Sequence, residues 1–139
     1  MCIRYLLEID QTVSVLGKFV QLHYILNPGM AFGVNVGNRF FYIFFTGLAI
    51  IIILIFMFKL DEVQRWPRLA LAMILGGAIG NLIDRIAIGK VLDFIKIGFW
   101  PIFNVADIMV TIGMIVLIIM VLFDRERDDE YIDNELEMN

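Results

Sequence analysis

The chain has 139 residues, of which 60% are hydrophobic, and its mean hydropathy is +0.85. Soluble domains are only about 45–50% apolar, so this composition excludes an ordinary soluble domain and indicates one integral membrane domain over residues 1–139. The formal charge of -4 comes without a basic patch, so no nucleic-acid partner is expected. The single cysteine, Cys2, and the single histidine, His23, predict neither an internal disulfide nor a zinc site, and we expect no metal or cofactor.

The first 39 residues do not predict a membrane span, because polar and turn-forming residues interrupt them. Two runs, Thr12–Leu16 and Phe19–Leu26, are rich in β-branched, aromatic and aliphatic residues and predict two short strands or one hairpin. Asn27-Pro28-Gly29 then predicts a turn. We expect a small β-rich segment over residues 12–39, lying at the membrane interface.

The first predicted span is Phe40–Phe58, which carries no charged side chain. At a rise of about 1.5 Å per residue, a helix of this length crosses a hydrocarbon core of about 30 Å. Its only polar side chains are Tyr42 and Thr46, so we interpret it as a scaffold helix that faces lipid. Lys59–Arg68 follows as a short polar loop.

The second predicted span, residues 69–88, differs in kind. Gly76 and Gly80 are four residues apart, a spacing that lets a neighbouring helix approach closely. The span ends in three polar residues that share one helix face: Asn81, Asp84 and Arg85. Hydrogen bonding between helices would account for them without any catalytic role, and that alternative stays open.

The third predicted span, residues 104–123, follows a loop over Gly89–Pro101 that carries Asp93. Asn104 and Asp107 are three residues apart, so both project from the first turn of this helix. An acid at the mouth of a membrane helix is costly and therefore usually functional. The simpler interpretation is a solvated loop charge for Asp93 and a helix cap for Asp107.

Charge predicts the orientation of the spans. Loop 59–68 and the end of the third span are the more basic segments, which favours the cytoplasm for both. The acidic residues 124–139 then form a cytoplasmic tail, which we expect to be solvated and partly disordered. The other ends of the spans share the outer boundary, where this topology gathers the polar side chains: Asn27, Asn81, Asp84, Arg85, Asp93, Asn104 and Asp107.

Two carboxylates brought together could perform hydrolysis. One of them keeps a proton and the other acts as a base, so the pair can activate water for attack on an amide carbonyl. The base takes a proton from water, and the acid donates its proton to the carbonyl oxygen and later helps the amine to leave. Asn104 could orient a carboxylate or the substrate, because an amide both donates and accepts hydrogen bonds.

Four motifs in chain order resemble those of the lipoprotein signal peptidase family, also called signal peptidase II. They are N-P-G-M-A-F-G (27–33), G-G-A-I-G-N-L-I-D-R (76–85), G-K-V-L-D-F-I (89–95) and P-I-F-N-V-A-D (101–107). The resemblance covers roughly residues 12–123. It implies a polytopic α-helical membrane protein of the bacterial inner membrane, with a β-rich cradle on the outer surface.

The resemblance also implies a reaction and a set of site residues. The family are aspartyl endopeptidases that remove signal peptides from prolipoproteins already modified with diacylglycerol, and globomycin inhibits them. Asp93 and Asp107 match the catalytic dyad, and Asp84 matches a structural acid that is also the alternative catalytic residue. The positions that match substrate-binding or supporting residues are Asn27, Gly80, Asn81, Arg85, Asn104 and Ala106. The implied partners are prolipoprotein substrates and membrane lipids, and we expect a monomer.

One departure from the family remains. Family members have four spans, whereas this sequence predicts three, and we expect the first span of the family to be missing. Asp10-Gln11-Thr12 resembles part of the motif carried by that span, but no apolar run precedes it. The alternatives are therefore an inactive fragment of the peptidase, or a non-catalytic membrane protein such as a transporter subunit or lipid-binding scaffold. Polar residues near mid-membrane would favour transport.

Overall fold

Three long helices make up most of the computed structural model, which describes residues 8–29, 37–60 and 64–137, with backbone alone beyond residue 123. They are α1 (Arg39–Lys59), α2 (Arg65–Ile88) and α3 (Val105–Glu137). All three, α3 over Val105–Phe123, are long and apolar enough to cross a membrane. The predicted α-helical polytopic fold is therefore confirmed.

Local sequence explains where the helices begin and end. The side chain of Asn38 caps α1 by accepting a hydrogen bond from the backbone N–H of Phe41 at 3.1 Å. Gly89 ends α2 in the left-handed conformation, with φ of 76°, and donates its N–H to the carbonyl of Arg85. α2 begins at Arg65 rather than Leu69, because Pro67 lies in the first helical turn, where its missing N–H costs nothing.

α2 packs most extensively against α3, along a seam of small residues. A side chain at Gly77 would collide with the carbonyl of Ala106, and one at Gly113 would collide with the carbonyl of Ala70. Gly76 instead faces open space, so the prediction that Gly76 lies with Gly80 at a close helix contact is wrong for Gly76. The close approach runs through Gly77, the next residue along the chain.

A three-stranded antiparallel sheet, in the order β1-β2-β3, covers one end of the helices. β1 (Thr12–Leu16) and β2 (Val20–Asn27) confirm the predicted strands. β3 (Val91–Ile97) occupies most of the segment Gly89–Pro101, so the prediction of a loop there is wrong. Val91 pairs with Asn27 and Ile97 with Val20, so the whole of β2 supports β3.

The outer edge of β3 is also paired, which attaches the sheet to the helices. The Asp84 carboxylate on α2 accepts the backbone N–H of Leu92 at 3.0 Å. Phe103 forms a β-bridge with Ile95 just before α3 begins. β3 is therefore held on one side by β2. On the other side it is held by Asp84 of α2 and by Phe103, which precedes α3.

The structure differs from the prediction in the residues beyond Phe123, and some predicted features lie outside the described residues. The backbone of α3 stays helical to Glu137, whereas the sequence predicted partial disorder beyond Phe123. Cys2, residues 30–33 of the first motif and residues 61–63 of the polar loop lie outside the described residues. Which boundary faces the cytoplasm stays a prediction.

Candidate active site

Asp93 lies in the middle of β3 and is 2% exposed, the largest side chain among the described residues to be so fully buried. A buried carboxyl costs much free energy unless hydrogen bonds or nearby charge compensate it. Two side-chain amides supply hydrogen bonds to Asp93. The amide nitrogen of Asn104 donates to Oδ1 of Asp93 at 2.7 Å, and that of Asn27 donates to Oδ2 at 2.9 Å.

The amide of Asn27 can point only one way. Its Oδ1 accepts the backbone N–H of Gly29 at 2.9 Å, which forms the turn that the sequence predicted after β2. Because that oxygen is occupied by a donor, the nitrogen must face Asp93. The turn thus has a structural role and also orients a donor towards the carboxyl.

Asn104 and Asp107 form a reciprocal cap at the start of α3. Oδ1 of Asn104 accepts the backbone N–H of Asp107 at 3.1 Å, and Oδ2 of Asp107 accepts the backbone N–H of Asn104 at 3.2 Å. This is the geometry of a capping box. It fixes the amide of Asn104 with its nitrogen towards Asp93. Asp107 therefore takes part in a helix cap, as the simpler interpretation of the sequence predicted.

Asn81 completes the link between the two acids. It accepts a hydrogen bond from the amide of Asn104 at 3.1 Å and donates its own amide to Oδ1 of Asp107 at 2.9 Å. Both carboxylates therefore receive only N–H donors from the surrounding asparagines. Such a shell favours negative charge, and its orientation is set by backbone partners at each end.

Arg85 supplies the positive charge near the two acids without forming an ion pair with either, among the residues that the structure describes. Its guanidinium donates to the carbonyl of Asn81 at 3.2 Å and to that of Gly29 at 3.4 Å. The guanidinium carbon also lies 5.6 Å from the ring centre of Tyr42 on α1. The sequence did not predict Tyr42 as a site residue. Its only distinguishing feature in the sequence is a tyrosine hydroxyl in a helix otherwise rich in phenylalanine.

The charge state of Asp93 follows from these surroundings. Burial raises the pKa of the Asp93 carboxyl above its ordinary value, and the neighbouring Asp107 carboxylate raises it further. The hydrogen bonds from Asn27 and Asn104, together with the charge of Arg85, lower the pKa but do not cancel the rise. The net effect is a raised pKa, which favours the protonated form of Asp93 more than in an exposed aspartate.

A cavity of about 450 Å³ opens onto both carboxyl groups. Its lining includes the charged side chains of Asp93, Asp107 and Arg85, together with apolar residues from Trp100 to Phe103. The cavity continues along α3 past Thr111, into the part of that helix that is apolar enough to lie in the membrane. An extended peptide with an apolar leader would find both kinds of surface here.

The remaining predicted site residues lie around this network. Gly80 faces Ala106, and a methyl group at Gly80 would lie 3.4 Å from the Ala106 side chain, an ordinary van der Waals contact between α2 and α3 beside the acids. Asp84 points to β3 and hydrogen bonds the backbone of Leu92, outside the asparagine network. Within the described part of the chain, no cluster of side chains suited to a metal ion is found.

Fold and site together define a multi-pass membrane protein with two linked carboxyl groups at one end of its helices. The sequence model described as signal peptidase (SPase) II matches residues 2–123. The chain therefore belongs to the signal peptidase II family, a family of membrane peptidases.

Individual relatives agree with this assignment. The chain is 42% identical over 108 residues to the lipoprotein signal peptidase of Moorella thermoacetica, covering 78% of this chain and 72% of that protein. It is 37% identical over 131 residues to that of Desulforapulum autotrophicum, covering 88% and 81%. A bacterial membrane enzyme solved by the in meso method at 2.3 Å superimposes with a TM-score of 0.85 at 32% identity, covering 90% of this chain and 79% of the other.

Proposed function

We propose that this protein is an aspartyl endopeptidase that removes signal peptides from diacylglyceryl-modified prolipoproteins, with Asp93 and Asp107 as its catalytic dyad. The observation that carries the proposal is the asparagine network, which ties the two acids together and directs N–H donors at both. The lipoprotein signal peptidases to which the chain is similar support the substrate class. The family resemblance supports a location in the bacterial inner membrane. The predicted orientation of the spans supports an active site near the outer leaflet.

The geometry suggests which acid does what. Burial raises the pKa of Asp93, so this residue serves as the general acid that protonates the scissile carbonyl oxygen. Asp107 lies in the first turn of α3, where a negative charge is favoured, and serves as the base that takes a proton from the attacking water. The proton held by Asp107 then passes to the leaving amine as the bond between carbon and nitrogen breaks. A hydroxyl group of the tetrahedral intermediate returns a proton to Asp93 as the new carboxyl forms, so both side chains regain their starting states.

The other site residues support this reaction without reacting. Three asparagines fix the orientation of the two carboxyl groups by donating to them: Asn27, Asn81 and Asn104. Arg85 offsets the negative charge of the pair. Gly80 and Ala106 let α2 and α3 approach closely enough for Asn81 to reach Asp107. The apolar length of the cavity takes the lipid-embedded part of the substrate, and the protein acts as a monomer.

Replacement of either acid tests the dyad. We expect Asp93→Asn and Asp107→Asn each to slow prolipoprotein processing by about 10³-fold or more, because general acid–base catalysis contributes on that scale. Processing is followed by the mobility shift of a prolipoprotein in membranes that contain each variant at equal abundance. Normal processing by either variant would contradict the dyad.

Globomycin provides a second, independent check on the substrate class. We expect it to inhibit cleavage by this protein, because the lipoprotein signal peptidase family that the sequence resembles is sensitive to it. The measurement is the rate of prolipoprotein cleavage by purified protein over a globomycin titration. Cleavage that resists globomycin would count against the assignment even if both acids proved essential.

A further inference from the structure

Tyr42 is the one buried side chain of α1, a helix that otherwise exposes its large apolar residues. It is 3% exposed, whereas Phe44, half a turn further on, is 65% exposed. A buried tyrosine carries a polar hydroxyl and an aromatic face, and both need a partner. The ring of Tyr42 faces the guanidinium of Arg85, 5.6 Å from ring centre to guanidinium carbon.

The hydrogen bonds of Arg85 go to two backbone carbonyl groups. Its hydrogen bonds to the carbonyls of Asn81 and Gly29 measure 3.2 and 3.4 Å, at or beyond the long end of the usual range of about 2.7–3.2 Å. No carboxylate among the described residues forms an ion pair with it. An arginine side chain has many rotamers, and the Tyr42 ring adds a contact from α1 on the face of the guanidinium, which the two in-plane hydrogen bonds leave open.

We propose that Tyr42 is a positioning residue, which holds the Arg85 guanidinium over the candidate active site so that its charge acts on both carboxyl groups. The energy between two charges depends on their separation, so a displaced Arg85 supports the pair less. This inference rests on the proposed function. It adds a role for α1, the helix that sequence alone assigned to the scaffold.

The test compares two substitutions of aromatic residues by leucine in the full chain. Tyr42→Leu removes the ring that faces Arg85, and we expect it to lower kcat/KM for prolipoprotein cleavage by about tenfold, through kcat more than KM. Phe44→Leu, on the exposed face of α1, is the matched control and should leave kcat/KM unchanged. Tyr42→Phe keeps the aromatic face and should recover most of the lost rate.

The pH profile separates positioning from a merely structural role. The charge of Arg85 lowers the pKa of Asp93, so a displaced Arg85 lets that pKa rise. Because Asp93 acts as the protonated partner, activity is lost as pH rises through its pKa. We therefore expect the alkaline limb of the profile to move to higher pH in Tyr42→Leu, and to stay in place in Phe44→Leu.

A double-mutant cycle then asks whether Tyr42 acts through Arg85. In an Arg85→Gln background we expect Tyr42→Leu to change the rate by less than about twofold, with single-turnover rates at excess enzyme keeping slow variants measurable. An equal loss in both backgrounds, or an unshifted alkaline limb, would overturn the inference. Normal processing by Asp93→Asn or Asp107→Asn would instead overturn the proposed function, so the two failures are distinguishable.

Discussion

The contact between α2 and α3 changes in kind along its length. Over most of its length it is a seam of small residues, where Gly77 and Gly113 let the two backbones meet. At the end near the sheet it becomes a polar network, in which Asn81 reaches Asp107. The seam sets the distance between the helices, and the network sets the direction of each carboxyl group.

These two regions should respond to substitution in opposite ways. A change in the seam alters helix spacing and therefore stability first, because backbone atoms there cannot move aside. A change in the network alters the orientation of a carboxyl group and therefore the rate first, because most of the fold is held elsewhere. Substitutions that separate rate from stability are the means to test this division.

Among the residues that support the two acids, the largest effect is expected at Asn104, which contacts both of them. Asn104→Ala removes the donor to Asp93 and the cap of α3, and we expect kcat/KM to fall by about 10²–10³-fold, as when one preorganised donor is lost. The lost cap should cost about 1 kcal/mol of stability. Steady-state cleavage and thermal unfolding in micelles measure the two effects.

Asn104→Ser is the matched control for that experiment. Serine caps helices as well as asparagine does, but it is too short to donate to Asp93. We expect the rate to stay as low as in Asn104→Ala while the unfolding temperature recovers only the part that was lost with the cap, because buried Asp93 still lacks its donor. Recovery of the rate with the cap would show that Asn104 matters for α3 alone.

Sequence reasoning located these polar residues because their spacing is local. Asn104 and Asp107 lie three apart on one helix, and a period of 3.6 residues places them together without further information. The long apolar spans were predictable for the same reason. The start of α2 differs from the prediction by a few residues, because Pro67 is tolerated in a first helical turn.

β3 was missed because its pairing is not local. Asn27, which ends its partner strand, lies 66 residues before Asp93 in the chain. A buried aspartate also opposes strand propensity, so the segment itself favours a loop interpretation. Pairing with β2 makes the strand, and that distant partner cannot be found by inspecting a window of sequence around Asp93.

The seam illustrates a second limit of sequence reasoning. Gly76, Gly77 and Gly80 all suggest a close helix contact, but the rotation of α2 decides which of them faces α3. That rotation depends on the packing of all three helices. The spacing of four residues therefore selected Gly76, which faces open space, over Gly77.

A single methyl group at each glycine tests the seam. Gly77→Ala directs its methyl group at the carbonyl of Ala106, and we expect a loss of about 1–3 kcal/mol, as for other overpacked sites. Gly76→Ala is the control and should be neutral or slightly stabilising, because alanine favours helix. Thermal unfolding of the two variants in one detergent decides the matter, and equal stability would mean that the seam does not set the spacing.

The smallest effect is expected from Asp84→Asn, which makes the same chemical change as Asp93→Asn on a neighbouring element. Asparagine keeps an oxygen that can accept the N–H of Leu92, so the link between α2 and β3 survives. We expect stability within about 1 kcal/mol of the unaltered protein and prolipoprotein processing within about twofold. If Asp84→Asn abolished processing while Asp93→Asn did not, Asp84 would replace Asp93 in the dyad, and the asparagine network would be structural.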